Sequence, residues 1–131
     1  LHTAYRRQRQ MCIRDSIMIG SIDGVRVPFG DNYSYSASKA GVHMMTRHLA
    51  HHLTKEHINV NTIAPGPFES KMMSYMLDDP TRRAGVVAST PLGRIGTPED
   101  IVGATIFLAS RAGSWLTGIT LPVDGGISTH G

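Results

Sequence analysis

Cysteine is nearly absent from this chain of 131 residues, since Cys12 is the only one. A single cysteine cannot build a disulfide framework, so the composition favours a reducing compartment, with the cytoplasm as the default location. No apolar run reaches the roughly 18 residues that would predict a transmembrane helix, and the sequence contains neither internal repeats nor low-complexity segments. These absences predict a globular domain that has no membrane partner.

A charge surplus is also missing from most of the chain. The formal net charge is +3 at pH 7, but four arginines and one acidic residue fall within residues 1–16. Residues 17–131 contain nine basic and nine acidic side chains and are therefore neutral overall. Because the excess charge belongs to one short segment, it does not indicate a nucleic-acid partner.

Residues 1–16 have no apolar period and no strand-like run. Their arginine content fits a targeting peptide only loosely. We expect this segment to be a basic tail outside the native domain, joined near Ser16 by a truncated or misassembled reading frame. Residues 17–131 are then the domain.

The run Tyr35-Ser-Ala-Ser-Lys39 places a phenol and an amine four residues apart. On a helix this spacing puts both side chains on one face. A neighbouring positive charge favours the phenolate, which allows a phenol to exchange a proton with an alcohol oxygen near neutral pH. Ser21, at the expected end of a strand, carries a hydroxyl that can hold the same oxygen. Taken alone, the spacing favours an exposed helix start with an ordinary lysine, because such pairs often arise by chance.

Short apolar runs alternate with helical patterns along the rest of the chain. Each run stops at small or turn-forming residues, which is typical of buried parallel strands. The patterns predict strands at residues 17–20, 58–66 and 119–123, and helices at residues 33–55 and from Pro98 onward. Pro122 within the last run favours a sheet edge.

Five motifs, in this order and spacing, resemble the short-chain dehydrogenase/reductase family. They are Ile-Gly-Ser21, Tyr35-Ser-Ala-Ser-Lys39-Ala-Gly, Asn59-Val-Asn-Thr-Ile-Ala-Pro-Gly66, Gly96-Thr-Pro-Glu-Asp and Thr117-Gly-Ile-Thr-Leu-Pro-Val-Asp-Gly-Gly126. Within the family, the chain looks most like the 3-oxoacyl-acyl-carrier-protein reductases, particularly the branch named for rhamnolipid synthesis. Together the motifs make a chance origin of the Tyr35–Lys39 pair improbable.

The resemblance implies an α/β fold in which this chain forms the C-terminal half of a doubly wound, Rossmann-type parallel sheet. It also implies a catalytic group of Ser21, Tyr35 and Lys39, of which Tyr35 and Lys39 also contact the cofactor. The glycine-rich turn that cradles a pyrophosphate does not occur before Ile17. The asparagine that completes the proton relay in the family cannot be assigned either.

The turn after the second strand resembles the segment that contacts nicotinamide in the family. Its expected cofactor-binding residues are Pro65, Gly66, Phe68 and Ser70. Ser70 stands where the family has a threonine and keeps the hydroxyl, whereas Phe68 departs from the usual isoleucine or valine. An ordinary Pro-Gly turn is the alternative. Kinship with reductases favours NADP(H) over NAD(H).

The implied reaction is hydride transfer between NAD(P)H and a carbonyl or secondary alcohol, with 3-oxoacyl reduction as the expected case. The substrate would be a small molecule or a carbonyl compound bound to an acyl carrier, and the complete enzyme a homodimer or homotetramer. The flexible methionines of residues 71–90 suit an adaptable apolar pocket, although core packing explains them equally well. The alternative is a non-catalytic fragment that lacks the dinucleotide-binding half and at most associates with intact subunits.

The helix at residues 33–55 carries two further patterns. An apolar stripe (Val42, Met45, Leu49 and Leu53) is expected to face a core or a partner subunit. The histidines His43, His48, His51, His52 and His57 cluster on and after the same helix. His48 and His52 have the spacing of a chelating pair, but a solvated face is the favoured interpretation, and we expect no metal site.

Overall fold

Three parallel strands and four helices make up the computed structural model, which describes residues 15–129. The strands are β1 (Ser16–Ile19), β2 (Val60–Pro65) and β3 (Thr120–Val123), and the helices are α1 (Tyr33–Leu53), α2 (Ser74–Leu77), α3 (Pro80–Ser89) and α4 (Pro98–Ala109). Cys12 and most of the segment expected to be a tail lie outside the described residues.

The sheet has the order β1-β2-β3, with Met18 paired to Thr62 and Thr62 to Thr120. All six residues of the central strand are buried, as expected for a parallel strand covered on both faces. The α/β fold predicted from the sequence is confirmed. At the start of β1, the Asn59 amide donates a 2.9 Å hydrogen bond to the Asp15 carboxylate, so the described sheet region begins slightly before the expected domain boundary at residue 17.

Helix α1 packs on the sheet through His43, Thr46 and Ala50, its three buried residues. The sequence predicted that the stripe including Met45 and Leu49 faces a core or a partner subunit, and those side chains are 44% and 37% exposed. The core interpretation of these two residues is therefore wrong.

The buried face of α1 is shifted by about one residue from the predicted stripe. The close approach of the helix to the sheet explains this shift. The hydroxyl of Thr46 hydrogen bonds to that of Thr62 on β2. Ala50 lies so near Gly118 that a Cβ on that glycine would be 3.3 Å from the alanine Cβ. The small side chains of Thr46 and Ala50 fit this close contact, whereas Met45 and Leu49 lie on the outer side of the helix.

Helix α4 begins as its sequence predicts. Thr97 and Asp100 form a reciprocal capping box, and Pro98 occupies the first turn. Arg94 donates two hydrogen bonds, of 2.7 and 2.9 Å, to the Asp100 carboxylate. These hydrogen bonds from Arg94 are the main reason that the pKa of Asp100 lies well below its usual value.

Residues 71–95 form a separate helical segment over a small apolar cluster. Leu77, Val86 and Ile95 are the buried members, and Met73 and Met76 pack against them. Met72 and Tyr75 remain exposed. Core packing therefore accounts for two of the methionines in this segment.

A second cluster fixes the chain that leaves β1. Ile22 packs with Ala64 of β2 and with Ile127 near the end of the described chain. This contact joins three separate parts of the sequence at the carboxyl edge of the sheet. No helix within residues 15–129 is both long and apolar enough to cross a membrane.

Candidate active site

Ser21 lies immediately beyond β1, at the carboxyl edge of the sheet. Gly20 still bonds to the sheet, because its N–H donates to the Ile63 carbonyl at 2.8 Å. Ser21 is extended (φ −165°, ψ 153°), and its Oγ accepts a 3.2 Å hydrogen bond from the Asp23 amide. This bond caps a short 3₁₀ turn at Ile22–Gly24. The serine is therefore held in place by the sheet on one side and by a capped turn on the other.

Helix α1 brings Lys39 to the same edge. Its Nζ donates a 3.2 Å hydrogen bond to the carbonyl of Ile19, the last residue of β1. Tyr35 precedes Lys39 by one helical turn, and the Lys39 Nζ lies 5.6 Å from the centre of the Tyr35 ring. Phenol and amine thus lie on one face of α1, as their spacing of four residues predicts.

Gly24 allows the turn formed by residues 21–24, called the 21–24 turn below, to pack closely against α1. A Cβ at this glycine would lie 2.6 Å from the backbone of Lys39 and of Ala40. No larger residue fits here without moving the helix or the turn. The glycine thus brings the segment that carries Ser21 against the backbone of Lys39, so the three predicted catalytic residues belong to one small region.

The turn after β2 lies at the same sheet edge. Pro65 ends the strand, and the Gly66 N–H donates to the Val123 carbonyl at 3.0 Å. A Cβ at Gly66 would meet Asp124 at 2.7 Å, so the turns after β2 and β3 are in direct contact. Burial raises the pKa of Asp124, but hydrogen bonds from Ser128 and from the Gly126 amide outweigh it and leave that pKa below its usual value.

Phe68 and Ser70 continue this turn towards the helical segment. Phe68 pairs with Gly96 in an isolated parallel bridge, supported by a 3.0 Å bond from the Glu69 amide to the Gly96 carbonyl. Beyond it, the Ser70 hydroxyl is shielded from solvent and has no hydrogen-bond partner among residues 15–129. A buried polar group without a partner is costly. An amide-bearing ligand beside this turn would satisfy it, which fits a nicotinamide carboxamide.

One buried side chain near Ser21 was missed by sequence reasoning. His43 was grouped with the solvated histidines, yet it is only 4% exposed and its Nε2 lies 3.4 Å from the Ser21 amide. No local signal in the sequence marked it, because its burial depends on the face that α1 turns towards the sheet, which it shares with Thr46 and Ala50. His48, His51 and His52 are exposed, as expected.

Metal-binding geometry is not found in the part of the chain that the structure describes. Within residues 15–129, no three side chains of histidine, cysteine, aspartate or glutamate are arranged to hold an ion. The rings of His48 and His52 are 4.9 Å apart, and those of His51 and His52 are 5.3 Å apart. These histidines form a mutual ring cluster on an exposed helix face.

Sequence comparison places relatives of this chain among oxidoreductases. The sequence model described as enoyl-(acyl carrier protein) reductase matches residues 3–128. The rhamnolipids biosynthesis 3-oxoacyl-[acyl-carrier-protein] reductase of Pseudomonas aeruginosa is 44% identical over 110 residues, covering 84% of this chain and 43% of that protein. The 2-dehydro-3-deoxy-D-gluconate 5-dehydrogenase of Escherichia coli is 41% identical, covering 83% and 41%.

The solved structures that resemble this chain include NADP complexes. The RhlG/NADP active-site complex of Pseudomonas aeruginosa superposes with a TM-score of 0.83 at 43% identity, over 87% of this chain and 44% of that one. A gluconate 5-dehydrogenase from Burkholderia cenocepacia, in complex with NADP and tartrate, gives a TM-score of 0.85 at 32% identity, over 95% and 49%. The chain thus spans less than half the length of these relatives.

Proposed function

The chain belongs to the short-chain dehydrogenase/reductase family, and on this premise we propose that the protein carrying it is an NAD(P)-dependent oxidoreductase of the cytoplasm. Its reaction is hydride transfer between the cofactor and a carbonyl or secondary alcohol. The observation that carries the proposal is the 3.2 Å bond from Lys39 Nζ to the Ile19 carbonyl. This bond fixes the Tyr35–Lys39 face of α1 at the strand end that leads into Ser21.

Each of the three side chains has a role that its chemistry allows. Tyr35 donates a proton to the carbonyl oxygen during reduction, as a positioned general acid. Lys39 stabilises negative charge on the phenol oxygen through its ammonium and binds the ribose hydroxyls. Ser21 holds the substrate oxygen with its hydroxyl, while its own Oγ is oriented by the Asp23 amide.

The turn after β2 is the proposed contact for the nicotinamide end of the cofactor. The turn would contact the nicotinamide through Pro65, Gly66 and Phe68. Ser70 would hydrogen bond to the carboxamide with its hydroxyl, which is buried and has no partner among residues 15–129. When bound, the reduced cofactor supplies the hydride. We assign NADP(H) in preference to NAD(H), because the two solved relatives described above are complexes with NADP.

For the substrate we propose a 3-oxoacyl group, borne by a small molecule or an acyl carrier. The 44% identical relative is a 3-oxoacyl reductase by name, and exposed Met72 and Tyr75 on the neighbouring helical segment provide apolar surface for an acyl chain. Sugar acids are the competing class, because a second relative is named for a dehydro-deoxy-gluconate. We further propose that the complete enzyme is a homodimer or homotetramer.

The test is a cofactor and substrate panel on the complete protein. We expect oxidation of NADPH with a 3-oxoacyl thioester, at a kcat/KM well above that with 2-dehydro-3-deoxy-gluconate or with NADH. The Ser70→Ala variant should bind NADPH more weakly. Its control is Ser74→Ala, because the exposed Ser74 hydroxyl bonds only the Lys71 carbonyl of its own turn. Absence of turnover with every carbonyl tested would refute the proposal.

A second candidate concerns the 131-residue polypeptide on its own, as a non-catalytic partner of intact subunits. The exposure of Met45 and Leu49 on α1 favours it, because an apolar stripe without a covering element is suited to association. Sedimentation of the polypeptide mixed with the complete enzyme tests this candidate. A mixed complex lost on Leu49→Lys substitution is expected, and independent sedimentation of the two species would contradict it.

A further inference from the structure

His43 occupies a space that exists only because residue 20 is a glycine. A Cβ placed on Gly20 would lie 2.0 Å from the His43 Nε2 and 2.8 Å from the Thr62 Cγ2. The imidazole is thus enclosed between α1 and the end of β1, and only 4% of the residue is exposed. Nothing in the proposed reaction uses this ring.

The ring bonds to the start of the 21–24 turn. Its Nε2 accepts a hydrogen bond from the Ser21 amide at 3.4 Å. An imidazole that accepts a hydrogen bond at Nε2 must be neutral at that nitrogen. A protonated ring has two donors and cannot accept the Ser21 N–H.

We propose that His43 is a positioning residue, which holds the 21–24 turn so that the Ser21 hydroxyl faces the substrate oxygen, and that protonation of the ring releases this hold. The inference rests on the proposed function, because holding the turn affects a reaction only if Ser21 binds the reacting carbonyl. Ser21, Tyr35 and Lys39 remain the catalytic residues, since His43 acts only through the Ser21 backbone.

Electrostatics around the ring favour the neutral state. Burial is the main cause that lowers the pKa of His43, the Gly24 backbone opposes it, and the nearby cations Arg47 and Lys39 of α1 lower it further. On the turn, Asp23 is the one acidic residue, and burial raises its pKa.

A cleft open to solvent adjoins the buried His43. His43 borders an open cleft of about 300 Å³ between the 21–24 turn, α1 and β3, where Val25, Arg47 and Thr120 also line the wall. The strand residues next to His43 are Thr62 and Thr120, which carry no charge. A proton can therefore enter from the cleft when the pH falls, and no carboxylate on the strands compensates its charge.

The kinetic test compares two substitutions in the complete enzyme. His43→Leu keeps a side chain of similar size but removes the nitrogen that accepts from Ser21. We expect kcat to fall about five- to tenfold, as loss of one hydrogen bond implies. The KM for NADPH should be unchanged. His43→Gln has an amide oxygen that can accept a hydrogen bond from the Ser21 N–H, so it should restore most of kcat. His48→Gln, on the exposed part of α1, is the control and should behave as wild type.

The pH profile separates positioning from simple packing. The wild-type rate should fall on acidification with a pKa below the ordinary histidine value of 6.5, and this acid limb should be absent in His43→Gln. A purely structural role would lower the rates of both variants without altering the limb. A limb that persists unchanged in His43→Gln overturns the proposal.

A stability measurement tests the same contact without any turnover. Because the pKa of His43 is lower in the folded than in the unfolded protein, its neutral form stabilises the fold fully above pH 6.5, and this stability is lost as the pH falls below that value. The free energy of unfolding should therefore drop more steeply for wild type than for His43→Gln between neutral pH and about pH 5. Superimposable pH dependences would overturn the proposal.

The two measurements distinguish the failure of this inference from that of the proposed function. If wild type reduces carbonyls but the His43→Gln curves coincide with it, the role of His43 is rejected and the oxidoreductase stands. If the stability curves differ but no carbonyl is reduced, the oxidoreductase is rejected, and with it the catalytic consequence of the His43 contact.

Discussion

Where α1 meets the sheet, buried polar side chains bond across the junction, whereas the helical segment 71–95 closes over an apolar cluster. At the α1–sheet junction, His43 hydrogen bonds with Ser21, and Thr46 hydrogen bonds with Thr62. In the helical segment, the buried side chains pack without directional bonds to one another; they are Leu77, Val86 and Ile95. Both regions border the candidate active site, so their difference bears on how that site works.

Directional and non-directional packing give different mechanical properties. A hydrogen bond between buried groups fixes an angle as well as a distance, and losing one partner leaves the other group unsatisfied. An apolar cluster with methionines at its margin accepts several arrangements at similar energy. The α1–sheet junction is therefore suited to fix the reacting groups, and the helical segment is suited to adapt to substrates.

Gly20→Ala gives the largest expected disruption of the polar junction. The new methyl group would overlap the His43 ring and the Thr62 side chain, both of which are enclosed. We expect the free energy of unfolding to fall by about 3 kcal/mol, at the upper end of overpacking effects. Urea denaturation measures it. The matched control is Gly41→Ala in α1, where a Cβ meets nothing within 4 Å, and this change should stabilise the protein slightly.

Leu77→Ala probes the apolar side of the comparison. Removing this buried side chain from a small cluster should cost about 2–3 kcal/mol, and we expect KM for the carbonyl substrate to rise while kcat is largely kept. Steady-state kinetics together with urea denaturation measure both effects. Leu92→Ala, at an exposed leucine, should change neither. If Leu77→Ala lowered kcat and left KM unchanged, the two regions would not differ as described.

Thr46→Val is the smallest of the three expected effects and isolates one polar contact. It removes the hydroxyl that bonds Thr62 and the Val42 carbonyl, leaving the Thr62 hydroxyl buried without that partner. We expect a loss of about 1–2 kcal/mol, part of which the Thr46→Val/Thr62→Val double variant recovers. Thr105→Val is the control, because the Thr105 hydroxyl bonds only the Ile101 carbonyl of its own helix. Additive single effects in the double-mutant cycle would argue against a direct bond.

The fold was predictable where local signals suffice. Apolar runs marked β1 to β3, and Thr97 with Pro98 marked the start of α4, because strand burial and helix capping depend on neighbouring residues. The Tyr35–Lys39 pair was predictable for the same reason, since helical spacing alone places both side chains on one face.

The orientation of α1 and the burial of His43 were not predictable in this way. Periodicity ranks Met45 and Leu49 above Thr46 and Ala50 as core residues, but the helix and the sheet approach each other closely at Thr46 and Ala50. This close approach depends on Gly118 and Thr62, which lie far away in the sequence. The position of His43 likewise depends on Gly20, whose missing side chain creates the space.

Tyr35→Phe tests the central claim most directly, because it removes one hydroxyl and leaves the ring that lies beside Lys39. The measurement is the rate of NADPH oxidation by the complete enzyme with a 3-oxoacyl thioester, with Tyr33→Phe, an exposed tyrosine two residues earlier, as control. We expect Tyr35→Phe to lose at least about 100-fold in kcat, as removal of a general acid does, with NADPH affinity unchanged and Tyr33→Phe at the wild-type rate. A Tyr35→Phe enzyme that retains the wild-type rate would contradict the account.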